Sequence, residues 1–200
     1  MDELSPDELT AALRRLWADR DEALRREFDR SLPFADAMFD RWERARRLGF
    51  GEGASIYDSA LVLGTVTVGA HTWVGPSVLL DGSGGGLTIG DWCSISAGTH
   101  VYTHDTVRWS LSRGAVERAT APVRIGSACH LGAQSIVVAG VTVGDQCVIG
   151  ANSFVNRDVP DRAVVAGSPA RPLGMVVGDG EDVGLWLGPE AVAALAERRP

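Results

Sequence analysis

Val123 to Val155 reads VRIGSACHLGAQSIVVAGVTVGDQCVIGANSFV. Ile125, Leu131, Val137, Val143, Ile149 and Val155 recur every six residues, and Gly follows four of them. Four residues after each comes a small or β-branched residue: Cys129, Ser135, Val141, Cys147, Ser153 and Val159. A helix places apolar residues every 3.6 positions and a flat strand every second one. A period of six fits neither as a simple face. It fits a chain that runs straight briefly, turns a corner and repeats. Three such sides close a triangular coil, and stacked coils form a parallel β-helix. The aliphatic residue fills the interior, the small one sits near the corner, and Gly tolerates the turn.

The count extends upstream through Ile56, Val62, Val68, Val74 and Leu80, and resumes at Ile89, Ile95 and Val101. Leu80 to Ile89 is a step of nine, so Asp81-Gly82-Ser83-Gly84-Gly85-Gly86 carries about three extra residues at a corner. Its spacing is not that of a dinucleotide-binding turn and no helix pattern follows, so a corner insertion is expected instead of a phosphate cradle. Val101 to Ile125 is twenty-four residues, one ordinary side plus an eighteen-residue loop within 102–122. Long loops on rigid repeat scaffolds carry function.

Before the coil, residues 1–50 read as a helical segment. Ser5-Pro6-Asp7-Glu8 is a capping box with Pro at the first helical position. Leu9, Leu13, Leu16, Leu24 and Phe28 space like one helix face. Pro33 ends it, and a second helix is expected from about Phe34 to Leu48, with Met38, Phe39, Trp42 and Ala45 packing on the coil and Gly49 as its cap. The coil occupies 51–174. Residues 175–187, rich in Gly and Asp, read as a linker, and Pro189 to Arg199 as a short helix with acid first and base last.

The charge of −7 and pI near 5.1 argue against non-specific nucleic-acid binding. The chain has no Lys, which excludes a P-loop and Schiff-base chemistry. No apolar run approaches a membrane span and MDELSPDELT is no signal peptide, so a cytoplasmic protein is expected. Cys93, Cys129 and Cys147 form no CxxC pair; each takes the small slot of its unit, and a column of buried thiols is expected in place of zinc or disulfide chemistry.

VTVGDQCVIGANSFVNRDVP followed by AGSPARP, with THD in the loop upstream, resembles the hexapeptide-repeat acyltransferases. The resemblance covers about 51–174. It implies a left-handed coil against the usual crossover rule, a homotrimer, and acetyl-CoA bound between neighbouring subunits. It also implies transfer to a hydroxyl or amine of a sugar, with no metal. His104, between Thr103 and Asp105, stands where the family keeps its catalytic His, and imidazole suits proton removal near neutral pH. Ala133, Ala151 and Asn156 match positions that contact the pantetheine arm; Arg157 and Arg171 match basic positions near the CoA phosphates. Tyr102 and Trp109 flank His104, where an aromatic face stacks on a sugar, though Trp109 equally suits anchoring of the loop. His130 ends a unit at a corner and reads either as a substrate wall or as a solvated residue; His71 is expected in solvent. Two rival readings share the scaffold. One is a metal-dependent hydratase of the γ-carbonic-anhydrase kind, for which the four-residue spacing of His100 and His104 is poor. The other is a non-catalytic trimeric scaffold.

Overall fold

The computed structural model describes residues 5–197 and is mainly β, with parallel strands stacked as successive turns of a coil. Its first side carries Ser55–Ile56, Trp73–Val74, Ser94–Ile95, His130–Leu131 and Val148–Ile149, each paired in parallel with the next, and ends on Ala163–Ala166. The second side aligns Leu61, Leu79, His100, Ile136 and Phe154. The third aligns Val68, Ile89, Ile125 and Val143, with Val159 bridged to Val143. Ile95 and Leu131 are neighbours because the long loop leaves and returns within a single turn.

The six-residue pattern therefore marks the interior. Ile56, Val74, Ile95, Leu131 and Ile149 are completely buried, as are Leu80, Val101 and Val137. Burying such side chains contributes roughly 1.5–3 kcal/mol each. The glycines after them work differently from the expectation. They do not take left-handed backbone; corner residues such as His71, Trp92, Ala128, Gln146 and Asn152 do. The glycines are needed because the turns stack closely. A Cβ on Gly126 would stand 2.7 Å from the Gly144 carbonyl carbon, and one on Gly132 2.5 Å from the Ala151 nitrogen.

Cys93, Cys129 and Cys147 stack on consecutive turns beside the first side, as their common slot predicted. Each thiol donates to a carbonyl of the adjacent turn, Gly126, Gly144 and Pro160, at 3.1, 3.0 and 3.1 Å. Hydrogen bonding to Cys129, and then burial, pushes the Cys93 thiol far up; Cys129 is pushed up to about 12, first by Cys147. Cys147 is drawn down by its bond with Cys129 but is completely buried. An aromatic disulfide reagent is thus expected to find no reactive thiol in the native chain and all three after denaturation. Immediate reaction of a native thiol would contradict this packing.

Both ends of the coil are covered. Helix α1 (Pro6–Phe28) has the capping box read from Ser5 and Glu8, yet buries no residue, and Leu9, Leu13, Leu16 and Phe28 remain exposed. The expected second helix is two, α2 (Phe34–Met38) and α3 (Arg41–Arg47), because the Asp40 carboxylate accepts the Glu43 N–H at 2.7 Å and starts a new helix. The break leaves Phe39 and Trp42 exposed, and only Ala45 of the expected packing side is buried. The Arg44 guanidinium anchors α3 on the first turn through the carbonyls of Tyr57 and Ala60. At the far end, Arg171–Val177 and Gly184–Leu187 extend the first side as antiparallel strands, so residues 175–187 are largely a hairpin instead of a bare linker. Pro189–Glu197 covers it through Ala191 and Leu195; the basic end expected for that helix, Arg198 and Arg199, lies outside the described residues.

Candidate functional site

Two irregularities meet at the corner between the second and third sides. The Gly-rich insertion does not bulge out as a loop. It is absorbed into one long strand, Leu79–Ile89, that follows the corner beside Leu61–Val68. A Cβ on Gly84 would collide with the Thr103 backbone, so glycine lets this strand lie flat against the base of the long loop. One turn further on, the long loop leaves the same corner. It is a hairpin: His104–Asp105 pairs with Ala119–Thr120, and a short helix, α4 (Val107–Leu111), fills its tip.

Stacking these turns sets Asp81 opposite Tyr102 and brings the next residues of both strands together. Thr103, fully buried, ties them: its N–H and hydroxyl donate to the Asp81 carbonyl at 3.1 and 2.8 Å, and the hydroxyl accepts the Gly84 N–H at 2.8 Å. The side chain of His104 then turns back over the insertion. Its Nδ1 lies 3.0 Å from Asp81 Oδ2 and 3.4 Å from Ser83 Oγ. The other oxygen of Asp81, which is only 2% exposed, accepts the Ser83 N–H at 2.9 Å. Asp105, the neighbour considered from the sequence, instead accepts the Val107 N–H at 2.9 Å.

Asp81 is the residue that reading along the chain missed. A signal was present. Leu80 and Val101 occupy the same side in consecutive turns, so the residues that follow them must be neighbours. A carboxylate one place after Leu80 is therefore within reach of an imidazole three places after Val101.

The other candidates distribute as follows. Tyr102 is half-buried on the outer second side, its hydroxyl 3.2 Å from His100 Nδ1. Trp109 is exposed on α4 and lines a recess of about 390 Å³ with Thr106, Glu117 and Arg118. His130 is not at a corner; it begins a strand on the exposed outer first side, and within one chain it does not meet His104. His71 is exposed and stacks on Trp92 at 4.1 Å. Ala133 and Ala151 lie on adjacent turns at the corner between the first and second sides, linked by the Asn152 N–H to the Ala133 carbonyl at 2.9 Å. Asn156, Arg157 and Arg171 share a shallow recess of about 120 Å³ at the end of the coil. A larger concavity of about 460 Å³, lined by Phe28, Phe39 and Trp42, lies among α1, α2 and α3, away from the imidazole. Among the described residues no group of three His, Cys, Asp or Glu forms a metal-ligand set, and no helix is long and apolar enough to cross a membrane.

The family described as "Hexapeptide repeat of succinyl-transferase" matches residues 122–157. Nodulation protein L of Rhizobium meliloti (strain 1021) is 43% identical over 110 residues; the match spans 54% of this chain and 59% of that protein. Among solved structures, a hexapeptide-repeat-containing acetyltransferase from Vibrio cholerae O1 biovar eltor, complexed with acetyl-coenzyme A, is 31% identical with a TM-score of 0.62, over 90% of this chain and 93% of that one. AntD, an N-acyltransferase from Bacillus cereus in complex with dTDP and 3-hydroxybutyryl-CoA, is 25% identical with a TM-score of 0.58, over 63% and 71% of the two chains. The six-residue coil and likeness to the Vibrio enzyme along nearly its whole length lead to one conclusion: the chain belongs to the hexapeptide-repeat acyltransferase family.

Proposed function

We propose that the protein is a CoA-dependent acyltransferase, acetyl being the first acyl group to test, that acts on a hydroxyl or amine of a sugar or sugar-bearing metabolite with His104 as general base. The observation that carries this reading is the 3.0 Å contact between His104 Nδ1 and the buried carboxylate of Asp81, on a rigid coil. A carboxylate at Nδ1 holds the proton there and leaves Nε2 with its lone pair. Acetyl-CoA supplies an acyl group as a thioester. As the acceptor oxygen or nitrogen bonds to the acyl carbon, its proton passes to Nε2. The imidazolium that forms faces Asp81, which stabilises it, and returns the proton to sulfur as the C–S bond breaks. No cysteine is needed as nucleophile, in keeping with the three buried thiols.

For CoA, the small residues Ala133 and Ala151 suit the pantetheine arm at their corner, and Arg157 and Arg171 suit its phosphates; both guanidiniums are exposed near the coil's end. This corner is not the one that carries His104; the second side separates them. A neighbouring copy closes that gap, which favours a homotrimer with shared sites. The exposed Leu61 and Leu63 and the half-buried Leu79, Ile136 and Phe154 on that side support its burial against a neighbour. The same reading gives a left-handed coil, a segment boundary at 50 and a cytoplasmic location; the boundary expected at 174 falls inside the strand Arg171–Val177. Light scattering reads the trimer directly; a monomer at working concentration would count against the shared site.

The decisive experiment is an acceptor screen with acetyl-CoA, scored by thiol release and by mass spectrometry of the sugars. Acetylation of at least one sugar is expected. Thiol release no faster than hydrolysis across the panel would favour the non-catalytic scaffold. Arg157→Ala and Arg171→Ala are each expected to raise KM for acetyl-CoA by about tenfold with a smaller change in kcat, because a phosphate contact is mostly uniform binding. A loss confined to kcat would remove both from the CoA site.

A further inference from the structure

The base opens beside a second recess of about 390 Å³ whose lining is almost bare backbone: Gly64, Thr65, Gly82, Ser83, Gly85 and Gly86. A Cβ on Gly86 would meet nothing closer than the Thr65 carbonyl oxygen at 3.9 Å, so an acceptor can come close to the main chain here. Ser83 joins this floor to two other groups. Its hydroxyl is 3.4 Å from His104 Nδ1, and its carbonyl accepts from the Arg118 guanidinium at 3.4 Å. Arg118 reaches across from the returning limb of the loop and also lines the recess under Trp109. It takes part in none of the ion pairs found among the described residues. Asp81, the carboxylate nearest the base, is already engaged by His104 and the Ser83 N–H.

The site thus presents an exposed cation joined to the general base through one residue, Ser83; Glu117, the exposed carboxylate next to it in sequence, lines the recess under Trp109 and not the glycine floor beside the base. We infer that the acceptor carries an anionic substituent, a carboxylate or a phosphate, on the same sugar ring as the acylated group, and that Arg118 selects it. This rests on the function proposed above and narrows its substrate class. The closeness of Arg118 to the base places the anion on the reacting ring, not at the far end of a nucleotide. Guanidinium suits both anions because its donors match two oxygens at once.

The test compares glucuronate and glucose 6-phosphate with glucose, and glucosamine 6-phosphate with glucosamine, in acetyl transfer by the full chain. An anionic sugar is expected to exceed its neutral parent by tenfold or more in kcat/KM, and the two acidic arms tell carboxylate from phosphate. Arg118→Ala should bring that ratio close to one by raising KM for the acidic sugars alone, and Arg118→Lys should keep part of it. Equal use of acidic and neutral sugars by the unaltered chain overturns the inference while leaving the acyltransferase reading intact. So does an equal loss on both in Arg118→Ala, which would mean that Arg118 only holds the loop to Ser83. If no sugar is acylated, the acyltransferase reading is what fails first. Calorimetry of the same sugars on the His104→Ala chain then decides Arg118 separately: an acidic sugar must bind, and Arg118→Ala must abolish it, or the inference falls.

Discussion

Replacing His104 with alanine is expected to cut turnover by about 10²–10⁴-fold, the range over which a general base contributes, and to leave both the fold and acetyl-CoA affinity in place. The reason lies in how the loop is held. Its base is tied by Thr103, through the Asp81 carbonyl and the Gly84 N–H, and its limbs pair through backbone groups. The imidazole carries none of that load. Positioning of both substrates survives its loss, so residual catalysis should remain. Turnover, circular dichroism and calorimetry with acetyl-CoA check the three parts of the claim, and added imidazole should restore some of the rate. His130→Ala provides the contrast, since His130 stands exposed on the outer first side. Near-normal turnover in His104→Ala together with a dead His130→Ala would move the base to the other residue.

How much of this was legible without coordinates depends on the kind of signal. The interior followed from one period, because a coil repeats the same environment every side; even the loop's two ends could be placed by counting from Val101 to Ile125. The glycines were found, but their reason was not, since the close approach of Gly126 to Gly144 is a relation between turns and leaves no mark within one unit. The helix break at Asp40 was hidden because Phe34 to Leu48 has a continuous apolar rhythm, and a side-chain cap prevailed over it. Residues 175–187 were read as a linker from their Gly and Asp content, yet Val176 and Met175 bury against the coil and pull the segment into strands. At the candidate site, THD is the motif by which the sequence singles out His104. Arg118 belongs to no motif, and only the pairing of His104 with Thr120 brings its limb back to Ser83.

Asp81→Asn is expected to lower kcat by about 10²-fold or more while KM for acetyl-CoA stays unchanged. Asp81 accepts from two donors, the His104 ring and the Ser83 N–H. Asparagine has one oxygen to offer. If that oxygen keeps the Ser83 N–H, the new amide N–H faces Nδ1, the ring proton moves to Nε2, and the lone pair needed for catalysis is gone. If the oxygen turns to Nδ1, two N–H groups face each other in a buried site and the strand holding the loop loosens. That second outcome costs stability, about 1–3 kcal/mol for an unsatisfied buried donor, so a melting curve must show the variant folded at the assay temperature. Under the proposed mechanism Asp81 acts through His104, as a positioning residue. The discriminating measurement is the double variant Asp81→Asn, His104→Ala. With the imidazole gone there is no tautomer to set, and the second substitution should lower kcat little further. Full additivity of the two losses would mean that Asp81 serves the scaffold alone, and a single variant within threefold of the unaltered rate would remove it from the mechanism altogether.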